Sequence, residues 1–268
     1  MNATSAARLG LLTVIIVAAG IMLFPRGSSN EVLVLCGGSM KEVLDEIIQR
    51  YKTVSDDPVI ATYGGSGDLC AQIQKTGRGD IYICHDPFMP WAAEQGLIDR
   101  WDTVGYLDVV IIAPNGSPKG ISGLEDLARP GLRLGVGDRT YSTSGQIAKA
   151  MFKQLDYGDE IRQNIRVETK GHQQRCNDVA MGTLDASIVW RPVAQLYGDR
   201  LAIMPIPDEY VHAVTSATYG KSDLKNVKVT VGVTTHARGK GPARRFYEFI
   251  TSECRDLFAQ HGFRTTER

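Results

Sequence analysis

The sequence carries no excess of either charge: thirty lysines and arginines face thirty aspartates and glutamates over 268 residues. A balanced chain lacks the basic surface with which nucleic-acid binders collect phosphates, so nucleic acid is not expected as a partner, and selectivity for a charged ligand has to be local. Cysteine is also scarce. Cys36, Cys70, Cys84, Cys176 and Cys254 are too few and too irregularly spaced for a disulfide framework, and their mostly apolar neighbours suit small buried hydrophobes. Cys84 adjoins His85, but neither a C-x-x-C pair nor an H-x-x-x-H accompanies them, so no direct protein ligation of a metal cation is expected. Internal repeats and low-complexity segments are absent too, which removes repeat arrays from consideration.

What is present is an ordinary globular composition, 43% hydrophobic and 22% charged, in a chain long enough for two domains of about 100 residues or more. One apolar run stands apart, Leu9 to Phe24, preceded by Arg8 and closed by Pro25 and Arg26. As a helix it would be roughly 24 Å long at about 1.5 Å per residue, short of a ~30 Å hydrocarbon core, so residues 1–30 read as a signal peptide or an N-terminal membrane anchor. Cys36 is not a lipidation site, since Leu35 rather than a small residue precedes it.

The stretch Val32 to Tyr51, VLVLCGGSMKEVLDEIIQRY, reads as strand, glycine turn and amphipathic helix, with Met40, Val43, Leu44, Ile47, Ile48 and Tyr51 on one face. Ser39 and Glu42 fit a capping box, and Gly37 and Gly38 allow a tight turn. The bland reading is a capped core helix. The functional one is an anion held by Ser39 and the free amides of a helix start, where the positive end of the macrodipole needs no lysine or arginine. A second copy of the device favours the functional reading: strand Val59 to Tyr63 runs into Gly64-Gly65-Ser66-Gly67-Asp68-Leu69, where Ser66 can cap a helix from Asp68 to Lys75.

Further on, strands at 81–84, 107–113, 132–136, 165–168 and 186–190 alternate with helices, the signature of an α/β fold whose ligand crevice lies at the carboxyl ends of the strands. A further capping box is expected at Ser122 and Glu125. Ser39, Ser66, Ser144, His172 and Trp190 all fall at strand ends or helix starts. Residues 208–226 carry no clear pattern, and Val227 to Thr235 alternates like a strand. The basic cluster Arg238, Lys240, Arg244 and Arg245 reads as a solvated face or a docking patch for an acidic partner.

From Leu33 to Phe263 the chain resembles the molybdate-binding proteins, periplasmic solute receptors of ABC importers with the type II periplasmic binding protein fold. The matching pieces are the Ser39 turn, GGSGDLCAQI at 64–73, GDIYICHD at 79–86, APNGSP at 113–118, ISGLEDLA at 121–128, GTLDASIVW at 182–190 and ARRFYEFITSECRDLFAQHGF at 243–263. The resemblance implies two α/β lobes, each a mixed sheet flanked by helices, closing over a tetrahedral oxyanion. Lobe one would be residues 31–107 plus 236–268 and lobe two residues 108–226, with Leu107 to Ala113 and Val227 to Thr235 as the two crossings.

The resemblance further implies ligand binding by Ser39 and Ser66, by backbone donors at Ser144 and His172, and by Trp190 where the family has a tyrosine. The ligand would be molybdate or tungstate, with no cofactor, a permease as partner, a monomeric state and an extracytoplasmic location. Arg139 and Arg191 stand where the family has uncharged residues, either in the pocket or paired at the surface, so sulfate and phosphate stay open as ligands. Two other readings remain: a membrane-tethered sensor, and a serine hydrolase in which the near-elbow Gly64 to Asp68 is served by His172, His212 or His236.

Overall fold

A computed structural model of the chain describes residues 30–211, 214–216, 220–222 and 225–268; the proposed signal peptide or anchor, including Leu9 to Phe24, lies outside them. The first sheet begins with β1 (Val32–Gly37), followed by α1 (Lys41–Tyr51), β2 (Val59–Gly64), α2 (Ser66–Thr76), β3 (Ile81–His85), α3 (Phe88–Glu94) and β4 (Ile98–Leu107). Strands β1 and β3 are apolar on both faces because both are covered. Val32, Val34, Cys36, Ile81 and Ile83 pack with the apolar side of α1, whereas Leu35, Tyr82 and Cys84, one residue out of phase, pack with Leu69, Cys70 and Ile73 of α2.

The chain then crosses at Asp108 into the second sheet: β5 (Val109–Pro114), β6 (Leu134–Gly137), α4 (Thr143–Phe152), α5 (Gly158–Gln163), β7 (Ile165–Thr169), α6 (His172–Ala180), β8 (Ala186–Trp190), α7 (Arg191–Gln195) and β9 (Leu201–Pro205). A short hairpin, β10 (Val214–Ser216) with β11 (Gly220–Ser222), fills part of the unpatterned stretch. The chain returns through β12 (Val227–Thr234) and ends in α8 (Gly241–Glu253) and α9 (Arg255–Gln260).

The two sheets share one plan. Their strand orders are β2-β1-β3-β12-β4 and β7-β6-β8-β5-β9. In each, three parallel strands are followed by an antiparallel one that the chain lays down on arriving from the other lobe, β12 in the first sheet and β5 in the second. This is the expected two-lobed α/β architecture, with mixed five-stranded sheets. Strand Val227–Thr234 is hydrogen-bonded to β3 on one side and β4 on the other, so it is a full member of the first sheet as well as the returning segment.

Matching aspartates brace the two sheets. Asp80, just before β3, accepts from the Leu33 amide and Lys240 Nζ, both at 2.7 Å. Asp185, just before β8, accepts from Arg133 through its amide at 2.8 Å, Nε at 3.2 Å and Nη2 at 2.8 Å. Each carboxylate ties the start of one parallel strand to the segment entering its neighbour. Among the described residues, no helix is long and apolar enough to cross a membrane.

Several local expectations change. Ser39 lies in a short 3-10 turn, Gly38–Met40, and α1 starts at Lys41 with no side-chain cap, so the Ser39–Glu42 capping box does not form. Ser122 does not pair with Glu125; its amide and hydroxyl both donate to Asp126, at 2.8 and 2.7 Å. The basic cluster is a solvated face, as one of its two readings had it, with each cation paired: Arg238 with Asp99, Lys240 with Asp80, Arg244 with Glu248 and Arg245 with Asp57. All five cysteines are buried and unbonded.

Candidate functional site

Because the parallel strands of both sheets point their carboxyl ends toward the junction of the lobes, the helix starts that follow them converge there. They line a cleft of about 1210 Å³. Ser39, Ser66, His172 and Trp190 face it. Ser144 is 1% exposed and stands one layer behind, with Ser142 and Thr143 in front of it at the cleft wall.

Ser66 is the first residue of α2 and is 6% exposed. Its carbonyl accepts from the fully buried Tyr82 hydroxyl at 2.7 Å, which fixes the turn. Its own Oγ is buried and has no hydrogen-bond partner among the described residues. An unsatisfied buried hydroxyl costs about 1–3 kcal/mol, so one at the wall of a cleft points to a ligand atom as its partner. The first helical bond of α2 runs from the Leu69 amide to the Gly65 carbonyl at 3.0 Å, leaving the preceding amides without a partner inside the helix. Gly65, the N-cap, supplies no side chain to fill that gap.

The second lobe contributes two more helix starts. At α4 the cap is Ser142, whose Oγ accepts from the Gly145 amide at 3.4 Å and lies 3.0 Å from Ser144 Oγ. Ser142 was not anticipated from sequence; its signal was the S-T-S-G run, in which either serine can serve as cap. At α6, Gly171 is the cap without a side chain, and the first helical bond is that of the Arg175 amide to the Gly171 carbonyl.

His172 opens α6 and connects these parts. Its Nδ1 accepts from Trp190 N–H at 3.3 Å and faces Arg175 Nη2 at 3.2 Å. Neither partner can accept, so the single proton of the neutral ring is on Nε2, which lies 3.4 Å from Ser144 Oγ. Burial, then the charge of Arg175 and the proximity of His85, hold its pKa well below the ordinary histidine value. Trp190, 1% exposed, is stacked against His172 with ring centroids 5.7 Å apart and meets the ring of His85 at 5.7 Å on another side. His85 bonds the Asp86 carbonyl through Nδ1 at 2.7 Å, and burial lowers its pKa too.

The arginines divide. Arg139 lines the cleft but is held by Glu168 at 2.9 and 2.5 Å. Arg191 does not line it; its amide bonds the Asp108 carbonyl at 2.9 Å. Lys170 spans the cleft to Asp68 at 3.8 Å. Arg175, which sequence reading passed over, is fully buried beneath His172. The hydrolase arrangement is not assembled: Ser66 Oγ has no base bonded to it, and His236 sits against Gly77 at the far end of α2. His212 lies outside the described residues.

A binding protein of Haemophilus influenzae is 24% identical over 229 residues, covering 85% of this chain and 88% of that protein. The molybdate-binding protein ModA of Escherichia coli is 21% identical, with 87% of this chain and 89% of that protein covered. Among solved structures, the periplasmic molybdate-binding protein of Azotobacter vinelandii matches with a TM-score of 0.70 at 16% identity, over 88% of this chain and all of that one (100%). The family model for bacterial extracellular solute-binding proteins matches residues 32–264. With nearly the whole described chain inside that match and both lobes on the same plan, the chain belongs to the bacterial extracellular solute-binding protein family.

Proposed function

We propose that the protein is the extracytoplasmic receptor of an ABC importer and captures a tetrahedral dianion, molybdate or tungstate first, between its lobes. The observation that carries this reading is the unpartnered, buried Ser66 hydroxyl at a cleft onto which open helix starts converge. Ser39, Ser66 and the amides at the starts of α2, α4 and α6, that of His172 among them, act as donors, and Trp190 forms the floor. A dianion has only acceptors to offer, and this set answers with neutral donors, so closing the lobes strips water from the ligand without forming a fixed ion pair. Release to a permease is correspondingly easy. The receptor acts as a monomer, and the N-terminal segment exports or tethers it; binding and not catalysis is its task.

One observation favours a second reading for the ligand. The cleft is far roomier than one tetrahedral anion needs, and Lys149 on α4 and Lys153 at its C-cap line it without a partner among the described residues. A phosphate carrying an organic arm with a second negative charge would use both. A thermal-shift panel tests the two readings together: molybdate, tungstate, sulfate, phosphate, simple carboxylates and a phosphorylated carboxylate. A ligand at 100 times its Kd adds about 2.7 kcal/mol to the folded state. Molybdate or tungstate should raise Tm at the lowest concentrations. A larger response to the phosphorylated carboxylate selects the second reading, and no shift with any of them removes the oxyanion assignment.

A further inference from the structure

Arg175 is fully buried, yet among the described residues no ion pair holds it. Its Nη1 donates to the Thr169 carbonyl, its Nη2 faces His172 Nδ1 at 3.2 Å, and its Nε is buried without a partner. The nearby carboxylates are engaged elsewhere, Glu168 by Arg139 and Asp185 by Arg133. A buried guanidinium is ordinarily paired, because desolvating an unpaired charge is costly. Here the cost is met only by a carbonyl and an imidazole nitrogen. Position 135 of the neighbouring strand is a glycine, where a Cβ would stand 3.3 Å from Arg175 Cδ, so the side chain is seated closely.

We infer that Arg175 is a positioning residue for the anion site: with the Trp190 amide it holds the His172 ring by its Nδ1 edge, and it supplies, from behind the neutral donors, the positive charge that a bound dianion completes.

The inference rests on the anion-receptor reading and adds a residue outside the cleft lining. The geometry explains two things that reading leaves open. An Nδ1–H form of a neutral His172 would set its proton against the Trp190 amide as well as against Arg175, so both donors fix the ring. With Arg175 and the Trp190 amide both donating to Nδ1, only Nε2 can carry the proton. The unliganded protein also holds an uncompensated charge in a medium of low dielectric, and an anion in the cleft is the counter-charge it lacks. The other groups facing the imidazole are Ser144 from α4, and His85 and Trp190 across the cleft floor, none of them acidic.

The test uses the full chain with Arg175→Met and Arg175→Lys. Binding of molybdate, sulfate and phosphate is followed by calorimetry and unliganded stability by thermal melting. Arg175→Met should weaken binding at least tenfold while the unliganded Tm stays the same or rises, because an apolar side chain replaces a buried unpaired charge. Arg175→Lys, which keeps the charge, should keep more of the affinity than Arg175→Met. A merely structural arginine would give the opposite split, a lower unliganded Tm with unchanged affinity, and that overturns the proposal. If the wild type binds none of the three anions, the receptor reading itself fails; if the wild type binds and Arg175→Met binds equally well, only the Arg175 assignment is overturned. If Arg175→Met does not fold, the arginine is structural and the proposal is overturned unless Arg175→Lys folds with an unchanged Tm and weakened binding.

Discussion

A methyl group on Gly37 would stand 2.6 Å from Ser66 Oγ and equally close to Met40 Cε, so the hydroxyl shares with Met40 the space that a side chain at the end of β1 would take. The second lobe repeats the arrangement, with Gly137 at the end of β6 and Ser144 Oγ also 2.6 Å from the Cβ it lacks. Neither glycine has a positive φ, so alanine is excluded by neighbours: Ser66 Oγ and Met40 Cε, both at 2.6 Å, at Gly37, and Ser144 Oγ with the Gly145 amide nitrogen, both at 2.6 Å, at Gly137. Gly37→Ala should therefore press on Ser66 and Met40 and lower oxyanion affinity by about tenfold, on the order of 1.4 kcal/mol. Unchanged affinity by calorimetry would show that Met40 alone gives way or that the Ser66 hydroxyl does not contact the ligand.

Ser66→Ala separates binding from stability. Removing one neutral donor should weaken binding by about 1–3 kcal/mol, while the unliganded protein loses nothing, since the deleted hydroxyl has no internal partner. Chemical denaturation of the unliganded variant should give a midpoint equal to or above that of the wild type. A clear loss of stability would mean that the hydroxyl is satisfied within the fold.

The aspartate braces should behave in the opposite way. Asp185, 5% exposed, accepts three hydrogen bonds from Arg133, which hold its carboxyl below the usual carboxylate range. Asp185→Ala leaves the Arg133 amide without its acceptor and should cost about 1–3 kcal/mol of stability with little change in affinity. Parallel urea melts and ligand titrations would check both parts. A loss of affinity out of proportion to stability would tie β8 to the site more directly than the brace implies.

Stability should fall on mild acidification. Burial holds His172 and His85 below the ordinary histidine value of about 6.5, so the unfolded chain takes up protons that the folded one refuses as pH drops from there. The slope of stability against pH is then positive through this window. The depressed aspartates act lower down: Asp57, held chiefly by Arg245, and Asp185, held chiefly by Arg133, stabilise above about pH 3.9 and lose that contribution as pH falls through their lower folded values. Tm of the unliganded protein should decline between pH 7 and 5 and less steeply in His172→Gln. A flat wild-type profile over that range contradicts the buried neutral histidines.

The hinge has its own staple. Asp108, at the first crossing, accepts from Arg264 Nε at 2.9 Å and pairs with Arg268 at 3.3 Å, while Arg264 Nη2 donates to the Lys225 carbonyl at 2.9 Å, beside the second crossing. Arg264→Ala should loosen both crossings at once. Small-angle scattering should show a more open unliganded protein, with a stability cost of about 1–2 kcal/mol because Arg268 still covers the carboxylate. Unaltered scattering would place the pivot elsewhere.

The elements visible in the sequence are those set by local pattern. The strand, turn and helix of β1 and α1 follow from apolar spacing, and the Gly64 to Asp68 turn from its glycines and serine. Misread features depended on partners far along the chain. Ser39 matches a cap in pattern, but the turn Gly38–Met40 takes up the helix start. Arg175 is held by Thr169 and His172 close by in the chain, but its burial comes from packing against Gly135 of β6, forty residues earlier, which nothing local announces. The shared plan of the two lobes is likewise invisible in sequence: what repeats is a strand-end glycine, a serine and an aspartate brace, too sparse to register as a repeat.

The placement of β12 between β3 and β4 gives the two lobes different histories on the ribosome. The five strands of the second sheet come from residues 109–205 without interruption, so that lobe can close as soon as it has been made. The first lobe begins earlier but cannot: β3 presents an open edge until residues 227–234 arrive to fill it. The half of the protein synthesised first is therefore completed last, and an exposed parallel strand waits through the synthesis of the whole second lobe. A chain with this order gains most from a carrier that keeps it unfolded until its end has been made.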